Sequence, residues 1–469
     1  MFNFLETMES FGSRPAIKNL NGDDSLELSY ATYLNQIKAA AYNLNETFGD
    51  LKGRHIGLLC DSNYEYTVLL AALLFSRAVV VPLNILETVD NLDFAISNSE
   101  IEAIILEDKY SAKVEGDILK INKEALLSSF DGQMQLVDFS DEEAENPLMI
   151  IYTSGTTSLS KGVVLSVDSL FGTMKSVINS DFEGGADRLL GLRVYLNFPL
   201  YHVAGVVAWL ATCENGCETY MSHDSKNILF DLENEHIDAA AVTPAVLNLW
   251  SKTLKRGKID RLGGLGLIVS AGAKVNPDTV QIFLDKGIKF GQFYGMTETG
   301  GNVTCNFDIK DHLHSVGIPV GGVEVSIVDG ELCISGRGLM LGYYNNPLDT
   351  AACLENGLLH TGDLGYIDED GYVYITGRKK NLIILSSGEN VSPEELEKLL
   401  YESKKVIECK VFEAEDRIIA SVYCLMEDMT FVKEYVDQLN KTLPIYKRIY
   451  KVDFKSQELE KTSSGKIKR

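Results

Sequence analysis

One pattern narrows the folds open to this chain more than any other: apolar segments at helical spacing alternate with short β-branched runs. Tyr64 to Phe75 is apolar at helical spacing, and after Ser76 and Arg77 comes Ala78-Val79-Val80-Val81-Pro82, which reads as a buried strand. Similar pairs recur around Ile101 to Leu106 and Leu265 to Ser270. Strands with no polar face need cover on both sides, and helices supply it, so the alternation predicts a layered α/β body. No fixed-period repeat and no low-complexity block is present, which argues against solenoids and propellers.

The 469 residues exceed the size at which one hydrophobic core usually stops growing, so two or more domains are expected. An acidic stretch from Asp138 to Asn146, read as a solvated loop, precedes the strand-like Leu148 to Tyr152. From Gly330 the texture changes to short alternating strands with turns, Glu331 to Ile334 and then Tyr372 to Ile375 after Asp370-Gly371, as in a small antiparallel or barrel-like unit. A second boundary is expected at Gly377-Arg378-Lys379-Lys380. Beyond it Pro393 to Glu397 opens a helix, Val406 to Phe412 and Arg417 to Met426 read as strands, and Phe431 to Leu439 as another helix, which suffices for a small α+β domain. The predicted division is an N-terminal body at 1–378 and a C-terminal domain at 379–469.

Composition removes several function classes. Forty-three basic against 67 acidic residues leave a formal charge of −24, which repels a polyphosphate backbone and an anionic membrane alike. Nucleic acid is not an expected partner, whereas a single nucleotide can still be cradled by backbone N–H groups and a few placed lysines. The eight cysteines are scattered, and the close pair Cys213 and Cys217 has no second pair or histidines at zinc-ligand spacing. Reduced thiols of a cytoplasmic protein fit best. The start, MFNFLETMESFGSRP, lacks a basic region followed by a continuous apolar one, and Val68 to Leu83 is broken by Arg77 and Pro82. Neither export nor integral membrane association is expected.

The most informative stretch is Tyr152-Thr153-Ser154-Gly155-Thr156-Thr157-Ser158-Leu159-Ser160-Lys161-Gly162. Hydroxyls and N–H groups on a turn can donate to several phosphate oxygens at once, and a lysine adds charge for the outer phosphates. It is not a Walker loop, because Lys161 follows Ser160 and precedes Gly162, so the second glycine and the Ser/Thr after the lysine are missing. Gly264-Leu265-Gly266 makes no dinucleotide fingerprint either, since Val269 holds the third glycine position.

Together, Tyr152 to Gly162, Pro199-Leu200-Tyr201-His202, Tyr294-Gly295-Met296-Thr297-Glu298, Thr361-Gly362-Asp363, Gly377-Arg378 and Ser464-Gly465-Lys466 resemble the adenylate-forming superfamily. That superfamily contains acyl-CoA synthetases, peptide-synthetase adenylation domains and firefly luciferase. The resemblance runs from about Leu28-Ser29-Tyr30 to the last residue. It implies a large N-terminal body of two layered α/β sheets plus a small β-barrel, and a small mobile α+β C-terminal domain.

The resemblance also implies ATP, Mg²⁺ and CoA, or a carrier phosphopantetheine, and gives each motif a place in the chemistry. Thr153, Ser154, Gly155, Thr156, Thr157 and Lys161 would hold the β- and γ-phosphates, Thr297 the α-phosphate, and Glu298 the magnesium. Tyr294 would stack on adenine beside Ala271-Gly272-Ala273, with Gln292, Gly295 and Met296 in the same set. Asp363 would accept the ribose hydroxyls, since a carboxylate takes two donors at once, and Arg378 would touch the nucleotide. Lys466 would bridge the substrate carboxylate and the α-phosphate, where charge builds up in the transition state. Lys380 would be the hinge of a domain that closes for the first step and turns for the second. Ser387, Gly388 and Glu389 would then admit the pantetheine thiol.

On the substrate side, Pro199 to Gly205 lacks the aspartate that pairs with an α-ammonium group in amino-acid adenylation domains. His202 matches the aromatic or histidine gate of acyl- and aryl-CoA ligases, and Val203 and Val242, with Val206, Val207, Trp209 and Ala245, suggest an apolar pocket. No basic residue lies there for a second carboxylate, so a fatty or aromatic monoacid is expected. The family usually has Gly and Pro where this chain has Ser158 and Ser160, Trp for Leu358, and Pro for Glu460. The leading expectation is an AMP-forming acyl-CoA ligase. The alternatives are a stand-alone enzyme loading an acyl carrier protein and a non-catalytic scaffold with the same fold.

Overall fold

The computed structural model describes residues 2–21, 25–128, 132–153, 160–178, 190–222, 228, 231–233, 235–257, 262, 264–273, 275–385, 389–414, 417–461 and 467–468. Two compact units divide the chain: residues 1–324 with 334–359, and residues 325–333 with 360–469.

The first unit holds two sheets. Seven strands lie in the order Gly342–Tyr343, Lys161–Ser166, Pro147–Thr153, Val79–Pro82, His55–Leu59, Ala103–Leu106 and Leu119–Asn122. The five from Pro147–Thr153 onward are parallel, and the other two join by antiparallel pairing. The nine-stranded sheet has a parallel core of Lys289–Tyr294, Leu267–Ser270, Ala239–Val242, Arg193–Leu196, Glu218–Ser222 and Pro15–Leu20. Antiparallel strands flank that core at both edges.

The helix and strand read from Tyr64 to Pro82 form as predicted, at Tyr64–Phe75 and Val79–Pro82. Residues 66–75 are all buried. The helix contacts Val79–Pro82 in one sheet and Pro15–Leu20 in the other, and a helix between two apolar layers has no side left for polar residues. Asn63 starts it by accepting the Tyr66 N–H at 3.2 Å, a side-chain cap for an otherwise unpaired amide.

Asp138 to Asn146 departs from the expected solvated loop. Phe139 is 2% exposed, and the Asp138 carboxylate accepts the N–H groups of Leu5 and Glu6 at 2.8 and 3.1 Å. Glu143 takes the Arg77 guanidinium at 2.8 Å. These partners lie 133, 132 and 66 residues away, out of reach of any local pattern.

In the second unit Val406–Ala414 pairs antiparallel with Arg417–Cys424, which pairs parallel with Ile449–Lys455. Helices Pro393–Tyr401 and Met429–Thr442 bury Leu396, Leu400, Val432 and Val436 in one core with Val411, Ile418, Ala420 and Val422. This is the expected α+β arrangement. Residues 360–378 group with this unit, whereas the sequence reading placed them with the N-terminal body. The division falls inside the strands Val323–Val328, Glu331–Gly336 and Leu358–Ile367.

No helix among the described residues is long and apolar enough to cross a membrane. None of the eight cysteines is joined in a disulfide, and all but Cys353 are buried.

Candidate functional site

Strand register sets the first part of the site. Gln292 lies opposite Ser270 in the parallel pairing of Lys289–Tyr294 with Leu267–Ser270. Ala271-Gly272-Ala273 therefore leaves one strand at the level where Tyr294-Gly295-Met296 leaves its neighbour. The carboxyl ends of parallel strands are where open α/β sheets hold ligands. Gly272 sits at φ +87°, backbone that a side chain would strain.

The chain then doubles back tightly: the Met296 N–H donates to Thr299 Oγ1 at 3.1 Å, the Gly301 N–H to the Met296 carbonyl at 3.1 Å, and the Val303 N–H to the Tyr294 carbonyl at 2.8 Å. A Cβ on Gly295 would stand 2.1 Å from the Gly301 carbonyl oxygen. Gly295→Ala is expected to cost about 3 kcal/mol by overpacking, read as a lowered denaturation midpoint with an unchanged m-value.

This turn buries Glu298 to 8% exposure. Its Oε1 accepts the Tyr343 hydroxyl at 2.8 Å, and its other oxygen has no hydrogen-bond partner among the described residues. Burial and the Glu298 charge push the Tyr343 hydroxyl far up, so it stays a donor. On the same ring, Lys161 Nζ stands 4.8 Å from the centroid and 2.8 Å from Asp349 Oδ2. Two predicted residues, Glu298 and Lys161, thus meet through Tyr343, which the sequence reading missed.

Among the described residues no cluster of three His, Cys, Asp or Glu could hold a metal. A single carboxylate with one open oxygen still fits magnesium, which takes few protein oxygens and keeps phosphate and water for the rest. Thr153 pairs with Lys161 across a hairpin. Ser154, Gly155, Thr156 and Thr157, like Ser387, Gly388 and Lys466, lie outside the described residues.

His202 is the residue before helix Val203–Glu214, with its ring edge-on to Tyr201 at 4.8 Å. The segment is anchored by the Leu200 N–H on Ser62 Oγ at 2.9 Å. A recess of about 20 Å³ is lined by Asn84, Glu87, Tyr152, Ser160, Tyr201 and His202. Val203 reaches within 3.4 Å of where a Cβ on Gly301 would stand, so it abuts the Glu298 turn. Val242 is fully buried in a core with Tyr195, Leu247 and Trp250, Trp209 Nε1 donates to Tyr33 at 3.2 Å, and Ala245 is exposed. A larger cavity of about 510 Å³, walled by Lys52, His55, Arg77, Phe139 and Leu148, is lined by no predicted site residue.

The second unit carries its own part. Asp363 is 3% exposed and lies opposite Arg378 in a hairpin, with Oδ1 2.5 Å from Arg378 Nε. Thr361 Oγ1 accepts the Asp363 N–H at 3.0 Å and donates to the Leu332 carbonyl at 2.7 Å. Lys380 is exposed in a short turn, Lys379–Asn381. Glu389 Oε2 is buried without a hydrogen-bond partner among the described residues.

Glu331 was read only as a strand residue, yet it gathers three partners. Its Oε1 accepts the Gly362 N–H at 2.8 Å, and its Oε2 lies 2.8 Å from Lys379 Nζ and 3.3 Å from His360 Nδ1. Burial works to raise its pKa, but the Lys379 ammonium, the Gly362 N–H and His360 outweigh it and hold the group below the usual carboxylate range. A depressed carboxylate stabilises the fold above its unfolded pKa and loses that contribution as pH falls through the folded value. Glu331→Gln is therefore expected to be about 1–2 kcal/mol less stable than the parent above roughly pH 4.3, with the difference closing in stronger acid. Urea midpoints taken from pH 3 to 7 check this.

Sequence signals for the missed residues do exist. Asn346-Pro347 marks a helix start, and Asn346 Oδ1 accepts the Asp349 N–H at 3.1 Å. That cap places Asp349, but nothing local in the sequence says that Lys161 meets it.

Residues 4–344 match a protein family described as AMP-binding enzyme. The chain is 27% identical over 436 residues to the putative acyl--CoA ligase YdaB of Bacillus subtilis, covering 87% of this chain and 84% of the relative. It is 25% identical over 470 residues to the long-chain-fatty-acid--CoA ligase FadD13 of Mycobacterium tuberculosis, covering 94% and 92%. Among solved structures, o-succinylbenzoate CoA synthetase (MenE) from Bacillus subtilis, in complex with the acyl-adenylate intermediate OSB-AMP, matches with a TM-score of 0.84. That match has 22% identity and spans 100% of this chain and 97% of that one. At this identity it speaks for the fold.

Proposed function

The chain belongs to the AMP-binding enzyme family, and from that premise we propose that it is an AMP-forming acid–thiol ligase acting on a carboxylic acid, ATP and CoA. In the first half-reaction a carboxylate oxygen attacks the α-phosphorus of ATP and the bond to pyrophosphate breaks, giving an acyl-adenylate. In the second the CoA thiol takes the acyl group and AMP leaves. The observation that carries the reading is the pair Glu298 and Lys161 on one tyrosine: a buried acid with an open oxygen at the Tyr343 hydroxyl and a cation over its ring.

Within this proposal Lys161 and Thr153 draw in the outer phosphates, and Thr297 reaches the α-phosphate. Tyr294 and Ala271-Gly272-Ala273 hold adenine, Asp363 and Arg378 the ribose side, and Lys466 the charge shared by carboxylate and α-phosphate. Magnesium bound at Glu298 would neutralise phosphate charge as pyrophosphate departs. Lys380 would be the point at which residues 379–469 turn between half-reactions, and Ser387, Gly388 and Glu389 would meet the thiol.

For the acid we propose a fatty or aromatic monoacid. Pro199 to Gly205 offers no carboxylate for an ammonium group and no cation for a second carboxylate, and Val203, next to His202, abuts the Glu298 turn. The name of the Mycobacterium tuberculosis relative, a long-chain-fatty-acid ligase, agrees with the first of these classes. Eight cysteines with no disulfide among them suit a reducing compartment such as the cytoplasm.

The test is to supply purified protein with ATP, Mg²⁺, CoA and acids of graded chain length, and to follow thioester formation. Acylation of CoA supports the proposal. Acid-dependent pyrophosphate release with CoA left free, but a phosphopantetheinylated carrier protein acylated, would move the acceptor to the carrier.

A further inference from the structure

Lys161 and Asp349 are both on the first unit, and their contact is built rather than incidental. Asp349 Oδ2 lies 2.8 Å from Lys161 Nζ and also accepts Asn346 Nδ2 at 2.9 Å, while the Asp349 N–H donates to Asn346 Oδ1 at 3.1 Å. The Asn346 carbonyl receives the Thr350 hydroxyl at 2.8 Å, and the same oxygen of Thr350 accepts the Tyr343 N–H at 2.8 Å. The carboxylate is thereby fixed beside the ring on which Lys161 rests.

We propose that Asp349 is a positioning residue that latches Lys161, competing with the outer phosphates of ATP for its ammonium group. The inference rests on the reading of Lys161 as the phosphate lysine. An ammonium has three donors and can hold the Tyr343 face whichever anion it serves. Moving it from a carboxylate to a triphosphate keeps one ion pair and exchanges the weaker anion for the more highly charged one. With side chains 33% and 44% exposed, the latch is an ordinary surface ion pair, strong enough to tune affinity and too weak to block binding. AMP has no outer phosphates, so its affinity does not pass through the latch.

Calorimetric titration of the full-length protein with MgATP and with AMP tests this. Asp349→Asn is expected to tighten MgATP about two- to fivefold and to leave AMP unchanged, while Asp349→Glu, which keeps the carboxylate, behaves like the parent. In a Lys161→Met background the Asp349→Asn change is expected to have no effect on MgATP, as a double-mutant cycle requires of a coupled pair. Equal or weaker MgATP binding by Asp349→Asn, or the same gain with Lys161 removed, overturns the latch. Failure of the unaltered protein to bind MgATP overturns the Lys161 assignment and the latch with it.

Discussion

Glu298→Gln is expected to slow adenylate formation about 10²- to 10³-fold while the melting temperature stays close to that of the parent. The amide oxygen can still accept the Tyr343 hydroxyl, which Glu298 receives at 2.8 Å, so the turn keeps its internal contacts. What disappears is the negative charge on a buried group with one oxygen open, and magnesium selects for that charge. AMP, which lacks the outer phosphates, is expected to bind the variant as it binds the parent. Stopped-flow detection of pyrophosphate with saturating acid gives the rate, and a titration with AMP gives the control. A variant that lost AMP binding as well would show a collapsed turn rather than a lost charge.

Lys466→Ala is the second large effect. The adenylation transition state concentrates charge between the attacking carboxylate and the α-phosphate, and a lysine there lowers the barrier selectively. Its loss is expected to slow adenylation about 10²- to 10³-fold, with transfer from a supplied acyl-adenylate to CoA nearly unchanged. Single-turnover assays of the two half-reactions separate these outcomes. Equal losses in both would remove Lys466 from the first step and return it to a general structural role.

Local pattern carried much of the fold. The stretch from Tyr64 to Pro82 holds an apolar helical segment and a β-branched run within nineteen residues, and its helix and strand form where that pattern puts them. Pro393 with Ser392 before it opens a helix for equally local reasons, Ser392 accepting the Glu395 N–H at 3.4 Å. What was not legible depends on partners distant in sequence. Asp138 caps a helix 133 residues away, and Glu143 meets an arginine 66 residues away, partners that no window of sequence contains.

The candidate site divides in the same way. The Tyr294 to Glu298 motif names its residues, and the register of Gln292 with Ser270 explains how Ala271-Gly272-Ala273 comes beside it. Read alone, Glu298 resembles a surface acid, and only the fold shows it buried against Tyr343, 45 residues on. Tyr343, Asp349 and Glu331 escaped because tyrosine, aspartate and glutamate in short strands and helices have many ordinary uses, and their significance here is positional.

Acid-dependent exchange of labelled pyrophosphate into ATP tests the central claim most directly, since it reports adenylate formation without any thiol. Exchange that requires both Mg²⁺ and a carboxylic acid, and that falls to background in Glu298→Gln, is the predicted result. Pyrophosphate exchange or ATP cleavage that proceeds equally without an acid, or survives unchanged in that variant, would contradict the account.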